Sequence, residues 1–299
     1  MYRVGGQAVR EGVMMCTPHH MVTVVRLPSG RMAVDCRPWQ TLVPPHSLLR
    51  VPLLRCGFTL LENMVNGATA LFYSHRVLCP TPHVFGEFGM RVHSLLLLPV
   101  IALLVFIGLP HLVVEHLGKG QTNPFFFNVM TGILRCGIFG LYLGFVFRDA
   151  TFHRVLQYHG AEHKAIRAYE ALQPLSVDVL RRQSRFHNRC GSQLVGWLLL
   201  LLPLGYTVID YLMMWSGIPL TSGGRLWNHV MILPGIILLA YECVHVTALN
   251  SWGAFFTNWI QRWLTAEPTD DQLEIAYFAL KKVLSLAPSN HDVNIQNTA

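Results

Sequence analysis

Apolar residues in this chain fall into long blocks separated by short polar runs. Four blocks, 94–117, 125–147, 194–215 and 230–249, have the length and apolarity of a bilayer crossing, which needs about 20 mostly apolar residues. The short segments 118–124 and 216–229 join them into two antiparallel hairpins. Ahead of the first block, 48–79 carries apolar residues at helical spacing, interrupted by Arg50, Arg55, Glu62 and Asn66. That pattern predicts one or two amphipathic helices lying on the membrane or against the bundle, with a soluble core helix as the alternative. The β-branched runs 21–27 and 31–36 flank Pro28-Ser29-Gly30 and predict a hairpin. The stretch from Gly5 to Met15 lacks the spacing of a nucleotide-binding glycine loop and reads as a glycine-rich turn or a plain tight loop. Near the other end, Thr269-Asp270-Asp271-Gln272 is a capping box. It opens a helix with a stripe at Leu273, Tyr277, Leu280 and Leu284, stopped by Pro288.

Composition agrees with the pattern. Of 299 residues, 52% are hydrophobic and 13% charged, against about 25% charged in soluble domains. The expected fold class is mainly α: a four-helix transmembrane bundle with amphipathic interfacial helices and a small N-terminal β-hairpin region on the cytoplasmic side. Six units follow in order: a β-rich head (1–47), interfacial helices (48–93), transmembrane hairpin 1 (94–147), a cytoplasmic loop (148–193), transmembrane hairpin 2 (194–249), and a C-terminal helix and tail (250–299). No leader segment is evident at the start.

Charge sets the expected orientation. Segment 1–93 holds nine Lys/Arg and segment 148–193 holds eight, whereas the links 118–124 and 216–229 hold one each, Lys119 and Arg225. Positive loops stay cytoplasmic, so both termini and the central loop should face the cytoplasm. The net charge of +7 then reads as a topology and lipid-surface signal. A nucleic-acid surface is not expected, because aromatics do not alternate with the basic residues. The seven cysteines are scattered without a close pair, which suits a reducing compartment.

The chemistry-bearing residues concentrate in 148–193. Asp149 to Leu172 reads as one helix continuing from the second span, and a second helix follows the cap at Ser176 and runs to about Gln183. On the first helix lies His159-Gly160-Ala161-Glu162-His163, a His-x-x-Glu-His pattern with His153 upstream. Residues i and i+4 share a helix face, so both imidazoles can reach one ion, and the glutamate beside them can take a proton from water. His187 and Cys190 follow as His-x-x-Cys, and Gly191 offers a bend after them. Three arrangements stay open. In one, His159 and His163 hold a divalent metal, expected to be zinc, with a third ligand from His187, Cys190, Glu170 or Glu242 and with Glu162 as base. In another, His159, His163, His187 and Cys190 close a structural zinc site. In the last, no metal binds and the histidines are ordinary polar residues.

Elsewhere, Glu242 and His245 lie within a span, where Glu242 either pairs with Arg135 or points toward the loop site. His111, His116 and the tryptophans Trp215, Trp227, Trp252 and Trp259 are expected at the membrane interface.

Three stretches together resemble one family. They are Gly5-Gly6-Gln7-Ala8-Val9-x-Glu11-Gly12-Val13-Met14-Met15, Tyr158-His159-Gly160-Ala161-Glu162-His163-Lys164, and Ser184-Arg185-x-His187-x-Arg189-Cys190-Gly191. With Glu267-Pro268-x-Asp270-Asp271 they are similar, in order and over nearly the whole chain, to the bacterial YqhQ family. The chain departs from that pattern at Cys16, where the family has arginine, and at Ser192, where threonine is expected. The resemblance implies a multi-pass protein of the bacterial inner (plasma) membrane, described as a predicted metal-dependent enzyme. It carries over His159, Glu162, His163, His187 and Cys190 as functional positions. Two functions are therefore expected in competition. One is a zinc-dependent hydrolase at the membrane surface. The other is a non-enzymatic membrane factor with a structural zinc site that assists insertion or assembly of a membrane-protein partner.

Overall fold

The structure is a computed structural model and describes residues 2–44, 47, 51, 54–79, 97, 99–117, 123–245, 258, 259 and 261–286, with His245 described in its backbone alone. It opens with four antiparallel strands in the order β1 (Gly5–Val9), β2 (Gly12–Cys16), β3 (His20–Arg26) and β4 (Met32–Pro38). Helices follow: α1 (Leu54–Leu78), α2 (Pro99–His116, with a π-helical turn at Leu104–Gly108), α3 (Pro124–Val146), α4 (Ala150–Glu170), α5 (Val177–Arg182), α6 (Ser192–Trp215), α7 (Ser222–His245) and α8 (Asp270–Ser285).

The sheet is covered on both faces. Val13 and Met15 of β2 and Val22 and Val24 of β3 pack with Tyr158, Ala161 and Ala165 of α4 and with Leu273, Ala276 and Leu280 of α8. Val9, Met14, Met21 and Val25 turn the other way, onto Ala70 and Tyr73 of α1. Residues alternate faces along a strand, so β3 is buried from Met21 to Val25, apolar but for Thr23, because both of its sides are covered. The expected β3–β4 hairpin is present, with Gly30 at φ 81° in its turn. The stretch read as a loop, Gly5 to Met15, is a second hairpin closed by Arg10 and Glu11. Gly12 explains how: a Cβ there would sit 2.1 Å from the Val24 carbonyl oxygen, so the close approach of β2 to β3 admits glycine alone.

Among the described residues, four helices are long and apolar enough to cross a membrane: Pro99–His116, Pro124–Val146, Ser192–Trp215 and Ser222–Val244. At most 22% of each apolar window is buried inside the protein. Leu141, Phe145 and Val208 stand outward, which is compatible with lipid contact. The last helix starts at Ser222, not at residue 230. Arg225 and His229 read as link residues, yet they are 2% and 3% exposed because they reach Asp210 of α6. The ends expected at 94 and 249 lie outside the described residues. Pro110 cannot donate to the Phe106 carbonyl, and Arg135 Nε fills that acceptor at 2.7 Å. Among the described residues of 48–79 there is one helix, α1, with Leu61, Met64 and Leu71 exposed along one side.

The chain does not run straight from α3 into α4. It turns at Phe147 and Arg148, and Asp149 caps α4 by accepting from the Thr151 N–H at 2.8 Å. Ser176 caps α5 in the same way, accepting from Val179 N. The α8 capping box is present as expected. Leu273 and Leu280 are buried, with Tyr277 and Leu284 packed beside them.

Candidate metal centre

His159 and His163 lie one turn apart on α4, with ring centroids 4.4 Å apart. Each is aimed by a backbone carbonyl. His159 Nδ1 lies 2.8 Å from the Leu264 oxygen, and His163 Nδ1 lies 2.6 Å from the Arg185 oxygen. A carbonyl can only accept, so both Nδ1 atoms carry the proton and both Nε2 lone pairs are left for a ligand. Metal-bound imidazoles are commonly held this way, the other ring nitrogen donating to a carbonyl that fixes the ring's tautomer and direction. Cys190 Sγ, just before α6, lies 3.3 Å from His159 Nε2 and receives the Ser192 N–H at 3.5 Å. Ligand atoms of His159, His163 and Cys190 all fall within 4.8 Å of one another, and among the described residues this is the grouping able to hold a metal. Two imidazoles and a thiol fit zinc by donor type.

Glu162 stands next to this group, with Oε2 3.8 Å from His159 Nε2. It is 5% exposed. Burial pushes its carboxyl up to about 7, against a smaller opposing pull from His159. The cover is strand β1: a Cβ on Gly6 would sit 2.7 Å from Glu162 Cγ. Cys16 lies opposite Gly5 on β2, and burial, opposed by a hydrogen bond with the Gly5 backbone and aided by the Glu162 charge, raises its thiol to about 12.

The remaining sequence candidates go elsewhere. His187 is 5.6 Å from His163 ring to ring, but its Nε2 faces Glu170 Oε2 at 3.0 Å. Its Nδ1 accepts the Arg189 N–H at 3.3 Å, so both ring nitrogens are engaged. Burial, with His163 and Arg167 adding to it, lowers its pKa to about 4. Glu170 is shared between His187 and Arg189. It lines a cleft of about 410 Å³ with Tyr2, Arg3, Val4, Tyr169 and Arg189. Glu242 is not at the centre, nor does it pair with Arg135. It accepts from Cys56 Sγ at 2.6 Å and pairs with Arg55, tying α7 to α1. His153 is exposed. Gly191 has ordinary right-handed dihedrals, so no special bend is used there.

Sequence reasoning missed two supports. Gln261 is fully buried and clamps His187, accepting its N–H at 2.8 Å and donating to its carbonyl at 2.7 Å. The run 264–268 lies across α4: Ala266 N–H donates to the Leu156 oxygen, and a Cβ on Gly160 would meet the Ala266 oxygen at 2.2 Å. The signal for Gln261 was a single amide inside the aromatic stretch Trp259 to Trp263.

A small sheet laid on helices at one end of an apolar four-helix bundle, around a His-His-Cys group, defines the class. Over residues 51–286 the chain matches the family described as a protein of unknown function (DUF1385), and it belongs to that family. It is 32% identical over 315 aligned residues to the uncharacterized protein YqhQ of Bacillus subtilis (strain 168), covering 94% of this chain and 92% of that one. No solved structure matches.

Proposed function

We propose that this protein is a zinc-dependent hydrolase of the bacterial inner membrane, with its site at the cytoplasmic surface. The observation that carries the reading is the convergence of His159, His163 and Cys190, three ligand atoms within 4.8 Å, beside the buried carboxyl of Glu162. Two imidazoles and a thiolate leave a tetrahedral ion one position short, which suits catalysis more than a closed structural site. His187, the fourth ligand of the closed alternative, is committed to Glu170. Zinc held there would supply Lewis acidity to a water or a carbonyl. Glu162 then serves as general base. A carboxyl near 7 exchanges protons readily at neutral pH. The lipid bilayer surrounds the four spans, and the basic head and central loop keep both termini cytoplasmic by the positive-inside rule.

One observation favours the second reading, a non-enzymatic factor for insertion or assembly of membrane proteins with a structural ion. Gly6 lies directly over Glu162 and narrows the approach to it. Glu162→Gln separates the two. As a base, Glu162 is dispensable for zinc binding, so the variant retains zinc and loses turnover against a panel of ester, amide and phosphoester substrates. Zinc lost with Glu162→Gln, and no turnover by the loaded wild type, would favour the structural reading. X-ray absorption at the zinc edge should show two imidazoles and one sulfur from the protein; a third imidazole would sink the catalytic arrangement.

A further inference from the structure

Helix α1 is built inside out. Its polar residues point into the protein: Glu62, Asn66, Thr69 and Ser74 are no more than 5% exposed. Three of them grip the head. Asn66 Oδ1 accepts from the Gln40 N–H and its Nδ2 donates to the Gln40 carbonyl, each at 3.0 Å. Glu62 Oε1 accepts from the Leu42 N–H at 2.9 Å. Ser74 Oγ donates to the Arg10 carbonyl at 2.6 Å, at the turn between β1 and β2. A Cβ on Gly67 would meet Gln7 Oε1 at 2.3 Å, so the helix is pressed onto the first hairpin.

The other side is apolar and open. Leu54, Leu61, Met64 and Leu71 are between 41% and 49% exposed. On a regular helix these four fall within an arc of about 100°. Val65, Ala68 and Phe72 are half-buried among them. Single exposed apolar side chains are ordinary on a protein surface, whereas a continuous strip of them marks a surface that meets another molecule or a membrane.

The position of the strip identifies what covers it. The first half of α1 runs beside the C-terminal end of α7. Cys56 Sγ donates to Glu242 Oε2 at 2.6 Å, and Asn63 Nδ2 donates to Tyr241 Oη at 3.1 Å. A Cβ on Gly57 would lie 3.2 Å from Leu238 Cδ2. Leu238, Tyr241 and Glu242 belong to the last turns of a helix apolar enough to cross a membrane. Leu239, on the same turns, is itself exposed. The first half of the strip therefore stands at the depth where α7 leaves the bilayer and headgroups meet acyl chains. Basic residues mark both ends of α1, Arg55 beside its partner Glu242 and Arg76 in the last turn. Helices that lie in a membrane surface commonly carry such residues at the headgroup level.

We infer that α1 lies along the bilayer surface, with Leu54, Leu61, Met64 and Leu71 among the phospholipid acyl chains, and that this contact holds the head against the membrane. The polar side of the helix stays on the head, and the apolar side is covered by lipid. The inference rests on the reading that α7 spans the bilayer, not on the metal centre.

The test is photocrosslinking of the full chain in isolated membranes. The photoreactive residue p-benzoylphenylalanine joins to whatever C–H group lies beside it. Leu61→p-benzoylphenylalanine and Leu71→p-benzoylphenylalanine should each yield a peptide heavier by one phospholipid. Leu141, exposed on α3, is the lipid-facing control, and Arg31, exposed in the turn between β3 and β4, is the water-facing one. Met64→p-benzoylphenylalanine stands in for either α1 variant that fails to accumulate in the membrane. Lipid adducts at 61 and 71 comparable to those at 141, and absent at 31, are the expected result. A product of twice the chain mass would place a second copy on the strip, and a product with another protein would place a protein partner there. No product would leave the strip in water, and adducts equally abundant at 31 would show no specific contact. Each of these overturns the inference. If Leu141 also yields no lipid adduct, the reading of the spans fails; adducts at 141 without any at 61 and 71 sink the α1 contact alone.

Discussion

Gly6 of β1 lies against Glu162 of α4 so closely that a methyl group on Gly6 would sit 2.8 Å from the Glu162 Oε1 atom. The N-terminal hairpin is therefore a lid over the carboxyl. Gly6→Ala must push Glu162 or the strand aside. Overpacking of this kind costs about 1–3 kcal/mol. Thermal unfolding should show the loss; an unchanged melting temperature would mean that the strand is not seated there.

Glu162 also gives a pH dependence. Its folded pKa, about 7, is above the ordinary 4.5. The folded state thus holds the proton more tightly than the unfolded chain. The associated stability is fully present below 4.5 and is lost as pH rises through 7. In chelator-stripped protein the loss should approach about 3 kcal/mol. Comparing denaturation of wild type and Glu162→Gln across that window checks it: the difference should change with pH, and parallel curves would contradict the buried carboxyl.

Gln261 holds His187 by two hydrogen bonds to its backbone. Gln261→Ala leaves a buried N–H and a buried carbonyl unpaired, at about 1–3 kcal/mol for each. Chemical denaturation should register this while zinc content stays at the wild-type level, since His187 is outside the ligand group. Zinc lost on this substitution would place His187 in the centre.

Orientation can be read from Cys36, which is exposed on β4 of the head. A membrane-impermeant maleimide should leave Cys36 unlabelled in intact cells and label it after lysis. Labelling in intact cells would invert the proposed topology. Cys16 should resist labelling under either condition, its thiol being raised to about 12 by burial.

The local patterns were readable and the long-range pairings were not. The four apolar blocks, the Pro-Ser-Gly hairpin, the caps at Ser176 and Thr269 and the His159–His163 face all follow from residues close in sequence. Arg225 and His229 read as link residues because their burial depends on Asp210, on another helix. Asp210 was itself a signal, the lone acidic residue in the apolar block 194–215. The β1–β2 hairpin was hidden because its glycines serve neighbours far along the chain, Glu162 for Gly6 and Val24 for Gly12. His187 and Cys190 look equivalent in spacing, and only the position of Glu170 parts them.

The central claim is that His159, His163 and Cys190 hold a metal ion and His187 does not. Elemental analysis of the purified full-length protein tests it most directly. Wild type and His187→Gln should each carry one zinc per chain, and the His159→Ala/His163→Ala variant should carry none. Wild type without stoichiometric metal, or metal retained by the double variant, would contradict the account.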